Sequence, residues 1–153
     1  MKPNDFRMTA VILLGLLAAP VAAFAAGSDS TPEPQQADPY KQAKELIDDE
    51  EYAEAIPLLQ KSIKEKGEYA DALNLLGYSN RKLGDKAKAM TYYTKALNME
   101  PNHLGANEYL GELYIQMGQL DRAERQLARL DDLCAYGCEQ REELARWIEA
   151  AGR

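Results

Sequence analysis

Two sets of residues have types and spacings that could do chemistry. Cys134 and Cys138, in "DDLCAYGCEQ", are the only cysteines of the chain, with Ala135, Tyr136 and Gly137 between them. Such a pair can exchange electrons, supply half of a metal site, or close a structural staple. Structural zinc takes four thiolate or imidazole ligands in two clusters, and the sequence holds no second pair. A metal could then only be shared between two chains. Thiol-redox centres usually place two residues between the cysteines, at a helix start that follows a strand. Here there are three. An intrachain Cys134–Cys138 disulfide is the leading expectation, and thiol-active or metal-handling use is its rival.

His103, the single histidine, sits in "EPNH", where a solvated turn residue is expected. The carboxylate run "DDEEY" at 48–52 reads as a solvated face at a helix end. No serine has a histidine and a carboxylate placed to activate it, and no glycine-rich phosphate loop occurs. The expectation is no enzyme, no cofactor and no metal.

Which chemistry the cysteines do depends on the compartment. The N-terminus runs from a weakly basic segment holding Lys2 and Arg7, through the apolar "VILLGLLAA", to small residues around Pro20. That order describes a secretory signal peptide, with cleavage expected after Ala25 in Ala23-Phe24-Ala25. The apolar run Ala10–Ala26 is short of the roughly 20 residues needed to cross a bilayer. The expected product, at 26–153, is periplasmic or secreted and not inserted in a membrane. That setting permits disulfides. Removing two basic and one acidic residue would take the formal charge from −7 to −8. Such a balance lacks the basic footprint that binds nucleic acid.

The elements around these residues come next. Residues 26–39 hold three prolines and little that is apolar, the composition of a flexible linker. From Tyr40 onward, apolar residues recur at helical spacing, as in Leu73, Leu76, Gly77 and Asn80, then Ala89, Tyr93, Ala96 and Leu97. Strand signals are absent, so an all-α fold is expected. A longer period overlies this one. Leu76 pairs with Leu110, Gly77 with Gly111, Gly84 with Gly118, and Ala89 with Ala55 and Ala123, each 34 residues apart. A helix–turn–helix repeat of about 34 residues is a solenoid period.

On those residues the chain resembles the tetratricopeptide repeat family. Residues 70–103 match its pattern closely, through Leu73, Leu76-Gly77, Ala89, Tyr93, Ala96 and Pro101, and only Asn80 departs. Residues 36–69 and 104–137 match less well. Gln42-Ala43 replaces Leu-Gly in the first, and Leu130 and Ala135 stand at the small-residue and proline places of the third. The resemblance implies three helical hairpins (A and B helices) in a short right-handed superhelix over 40–137. Gly77 and Gly111 are expected where the helices of a hairpin press together. Gly84 and Gly118 are expected in the turns, and Pro101 at a helix end. Pro57 should tilt the first B helix slightly. "CEQREELARWIEAAGR", 138–153, is expected to cap the stack, with Leu144, Trp147, Ile148 and Ala151 on one face and Trp147 as a core anchor.

The resemblance also implies a concave groove lined by the A helices. Its expected binding residues are Lys44, Asn74, Tyr78, Arg81, Lys82 and Glu112, a polar-basic patch with one aromatic. The family's clamp for chaperone carboxyl termini is not carried over, because its places hold Tyr40, Lys44, Leu75, Gly105 and Tyr109. The expected function is a non-enzymatic protein-interaction module of the bacterial periplasm. Its partner would be a peptide or an envelope-complex subunit, and self-association through the linker is a further possibility.

Overall fold

The computed structural model describes residues 38–152. The expected signal peptide and almost all of the linker lie outside them. Seven helices and no strand occur among the described residues: α1 (Pro39–Asp48), α2 (Tyr52–Lys66), α3 (Ala70–Lys82), α4 (Lys86–Met99), α5 (Leu104–Gln116), α6 (Leu120–Leu133) and α7 (Glu139–Ala151). The expected all-α repeat fold is what these residues adopt. α1 pairs with α2, α3 with α4 and α5 with α6, and α7 packs on both α5 and α6.

The repeat period appears first in the turns. Glu50, Gly84 and Gly118 stand 34 apart and share a left-handed backbone, with φ of 63°, 85° and 70°. Each follows an A helix and closes it with the same two bonds. The amides of Glu51, Asp85 and Gln119 donate to the carbonyls of Leu46, Asn80 and Tyr114 at 2.7, 2.8 and 2.8 Å. The amides of Glu50, Gly84 and Gly118 donate to Ile47, Arg81 and Ile115. This pairing, with a left-handed residue just past the helix, satisfies carbonyls that a helix end would otherwise leave open. It also reverses the chain into the B helix.

Helix starts are capped by different side chains. Asp38 accepts from the Tyr40 amide at 3.0 Å, ahead of Pro39 at the first turn of α1. Asp85 accepts from Lys88 at 3.0 Å. His103 caps α5 and is not the solvated turn residue expected. Its Nδ1 accepts from the Ala106 amide at 3.1 Å and its Nε2 lies 3.0 Å from Asp71 of α3, leaving the side chain 12% exposed. The ring therefore joins consecutive A helices. α4 ends at Met99, before Pro101, and α2 continues through Pro57.

Small residues set how closely the helices approach. Ala55, Ala89 and Ala123 are all fully buried, as are Ser62, Ala96 and Leu130 along the next column of the register. Gly77 lies directly under Tyr93 of α4, and a Cβ there would sit 2.5 Å from the ring. The close approach of α3 and α4 thus rests on a missing side chain, as expected within one hairpin. Gly111 differs. A Cβ there would meet Leu144 of α7 at 2.5 Å, not the hairpin's own B helix. Half-buried Leu127 stands where Tyr93 stands in the preceding repeat, and Leu144 covers the glycine from the cap.

Trp147 is not a core anchor. It is 49% exposed, Leu144 alone of α7 is fully buried, Ile148 is half-buried, and Ala151 is exposed. Leu144 continues the column of Leu76 and Leu110 at a further 34 residues, so α7 occupies the place of a fourth A helix. Counting on from Tyr109 in that register reaches Glu143. Glu143 accordingly faces the same way as Tyr109, whereas Trp147 falls in the column of fully buried Ser79 and Leu113 and is nonetheless half exposed.

Candidate functional site

Tyr52, Tyr78 and Tyr109 come from α2, α3 and α5. Their ring centroids follow one another at 5.9 and 4.8 Å. Cations lie against this ladder. Lys82 places its ammonium 5.4 Å from the Tyr52 ring centroid and 5.8 Å from that of Tyr78. The Arg81 guanidinium lies 5.3 Å from Tyr78 and 5.6 Å from Tyr109. These separations lie within cation–π reach.

Two hollows open on the ladder. The first, of about 460 Å³, is lined by Lys44, Ile47, Asp48 and Glu50 together with Tyr52, Leu75, Tyr78, Lys82 and Tyr109. The second, of about 380 Å³, shares Tyr78, Lys82 and Tyr109 and adds Arg81, Glu108, Glu112, Gln116, Glu139, Glu143 and Trp147. The first hollow sets Lys44 and Lys82 beside Asp48 and Glu50, and the second sets four glutamates beside Arg81 and Lys82.

Arg81 is the hinge of the arrangement. Its Nη1 lies 2.7 Å from the Glu112 carboxylate, with both side chains at least nine-tenths buried. Its Nε donates to the Tyr93 hydroxyl at 3.4 Å. A buried ion pair of this kind fixes geometry more reliably than it adds stability. Here it ties α3 to α5 and, through Tyr93, to α4. Burial raises the Glu112 carboxyl above its usual range despite the guanidinium. Neighbouring Glu108 is pushed up to about 8, first by burial and then by the charges of Glu112, Glu143 and Glu139.

The structure brings together five of the six expected groove residues. Lys44, Tyr78 and Lys82 line the first hollow, and Tyr78, Arg81, Lys82 and Glu112 the second. Arg81 and Glu112 do so as a spent pair, with little charge left to offer. Asn74 lines neither hollow. It is 6% exposed, faces Gly105 of α5, and its Oδ1 has no hydrogen-bond partner among the described residues. Sequence reasoning missed Tyr52, Tyr109, Glu139, Glu143 and Trp147 as lining groups. Carrying the 34-residue step from Tyr109 into α7 would have found Glu143, but the same step puts Trp147 in the column of fully buried Ser79 and Leu113. Tyr52 lies on a B helix, where a pattern confined to A helices does not look.

The cysteine pair lies elsewhere, between α6 and α7. The two sulfurs are 2.09 Å apart, at disulfide distance. Gly137, in the left-handed region, donates its amide to the Cys134 carbonyl at 2.8 Å, and Tyr136 between them is fully exposed. Among the described residues no group of three or more histidine, cysteine or acidic side chains could hold a metal ion. None of the described helices is long and apolar enough to cross a membrane.

Two family models, both described as tetratricopeptide repeat, match residues 40–103 and 80–133. No curated protein matches the sequence. PcrH from Pseudomonas aeruginosa has a similar structure, with a TM-score of 0.66 and 19% identity over 75% of this chain and 89% of that one. The type III secretion chaperone SycD of Yersinia enterocolitica, in complex with a peptide of the translocator YopD, gives a TM-score of 0.65 and 20% identity. There 74% of this chain and 89% of that chain are covered. The first repeat domain of Spaghetti (RPAP3), bound to the HSP90 peptide SRMEEVD, gives 0.64 and 16% identity over 75% of this chain and 91% of that one. At these identities the likeness is one of fold. With one 34-residue step running through turns, core and both matched spans, the chain belongs to the tetratricopeptide repeat family.

Proposed function

We propose that this chain is a non-enzymatic protein-interaction module that holds an extended polypeptide segment along the ladder Tyr52–Lys82–Tyr78–Arg81–Tyr109. The ladder itself carries the reading. It is preformed, its centre is held by the buried Arg81–Glu112 pair, and its aromatic faces and Lys82 remain available at the rim. A rigid surface of this kind loses little entropy on binding. Two proteins of the same fold, SycD and the Spaghetti domain, are each described with a bound peptide, which supports the proposal by analogy. The N-terminal segment supports export, and the periplasm is the compartment we assign. The cysteine pair, at disulfide distance between two helices, fits a staple in such a compartment better than a thiol centre.

A photo-crosslinking residue at Lys82 tests the groove in cells, with exposed Thr91 of α4 as the control position. The expected result is a protein trapped from position 82, absent from position 91, and lost on Tyr78→Ala. Identical captures from both positions, or captures indifferent to Tyr78, would sink the reading.

A further inference from the structure

The second hollow holds four carboxyl groups, Glu108, Glu112, Glu139 and Glu143, with Arg81 and Lys82 on its α3 side. Glu108 of α5 lines it, is 7% exposed, and has no hydrogen bond or ion pair with any described residue. Glu112 beside it is already paired with Arg81. From α7, Glu139 and Glu143 face the same space; Glu143 also pairs with Arg146 on its outer side. Trp147, half exposed, and Tyr109 supply the walls. A largely buried carboxyl group that reaches solvent only at the hollow, with no hydrogen-bond partner among the described residues, carries a partial desolvation cost that an arriving cation would relieve. An indole face and a phenol ring suit the aliphatic stem and charged head of that cation.

We infer that the space bounded by Glu108, Glu139, Glu143, Tyr109 and Trp147 is a subsite for one cationic side chain, arginine or lysine, of a bound polypeptide. This rests on the groove reading and names the chemistry of its partner. Charge complementarity selects the occupant. Residues 26–37 of the chain itself contain no lysine or arginine, so the linker lacks the group this end would take.

Glu108 gives the site a second signature. With its carboxyl raised to about 8 by burial and by Glu112, Glu143 and Glu139, and opposed by Arg81, it is largely neutral near pH 7. Lys82, from α3, also faces the hollow. A bound cation favours the ionised form, so binding should release a proton and tighten as pH rises from about 7 to about 9.

Trp147 is the only tryptophan, so its emission reports occupancy in the full chain. The probes are a capped heptapeptide of glycine and serine carrying one arginine, its neutral citrulline analogue, and its glutamate analogue. Saturable binding of the arginine peptide is expected, at least about tenfold tighter than citrulline, with no response to glutamate. Glu143→Lys should abolish it while helical circular dichroism and the melting curve hold, since the Glu143–Arg146 pair is exposed. Glu108→Gln should remove the gain between pH 7 and 9. Equal affinity for arginine and citrulline, no saturable response at millimolar concentration, or a pH gain retained in Glu108→Gln would overturn the inference. So would light scattering that shows a Glu143-dependent dimer, because the hollow would then belong to a second copy. If position 82 still traps a Tyr78-dependent partner while these titrations fail, the groove stands and the cation subsite falls.

Discussion

Gly77 and Gly111 occupy equivalent places, yet their surroundings assign them different costs. Above Gly77 sits the Tyr93 ring, fully buried and tethered through its hydroxyl to Arg81. It has nowhere to turn. Gly77→Ala should therefore destabilise the fold by about 1–3 kcal/mol, the usual range for overpacking. Gly111 is covered by the methyl groups of Leu144, on a helix whose outer side packs against nothing further among the described residues. α7 can shift outward, so Gly111→Ala should cost less. Urea unfolding of the two variants measures the difference, and equal losses would show that the cap is as firmly held as the hairpin. Glu50 raises the opposite case, since it adopts a conformation that its two repeat partners assign to glycine. Holding a non-glycine residue there costs about 1–2 kcal/mol, part of which glycine returns as chain entropy. Glu50→Gly should raise unfolding stability by up to about 1 kcal/mol, seen as a higher urea midpoint. The three turns share one backbone, but only two announce it in sequence. Within "DDEEY" nothing but the repeat count distinguishes Glu50 from its neighbours.

At the scale of elements, helix periodicity and the 34-residue step made the hairpins legible, because both arise from packing that every repeat must satisfy. The site was only partly legible for a related reason. A family pattern marks which side of an A helix faces inward, but not which of those side chains are consumed by contacts between repeats. Asn74, Arg81 and Glu112 are buried in that way, whereas Lys44, Tyr78 and Lys82 remain at the rim. Trp147 misled because hydrophobicity and the repeat register, which puts it in the column of buried Ser79 and Leu113, both assign it to a core, whereas it lines the second hollow half exposed. The joint between α6 and α7 then matters, because α7 carries one wall. Closing the short Cys134–Cys138 loop should contribute about 2 kcal/mol by loop entropy. Cys134→Ala/Cys138→Ala should lower unfolding stability by up to that amount and increase amide exchange in α7 before α3. If exchange rises uniformly instead, the pair stabilises the whole stack and does not specifically hold its last helix.

For the whole molecule, charge sets a pH dependence of unusual sign. Asp38 and Asp85 are held below their ordinary value by hydrogen bonds from Lys66 and Lys88 respectively. Their contribution is present above the usual carboxylate range and fades as pH falls through their lowered values. Glu108 runs the other way. Its folded value of about 8 lies above the unfolded 4.5, so between these limits the native state binds more protons than the unfolded chain. Unfolding free energy must then fall as pH rises through that window, and Glu112, raised by the same burial, adds to the slope. The chain should be most stable in mildly acidic solution and progressively less so toward pH 8. Thermal melts across that range test the trend, and Glu108→Gln separates the local cause from general repulsion in a chain of formal charge −7. That variant should melt at nearly the wild-type temperature in acid and above it at alkaline pH, where the wild type must bury an ionised carboxylate. A slope unchanged by Glu108→Gln would place the pH dependence in the net charge and not in the hollow. A cation bound beside Trp147 should flatten the same slope in the wild type, because it compensates the charge that the fold otherwise leaves unpaired.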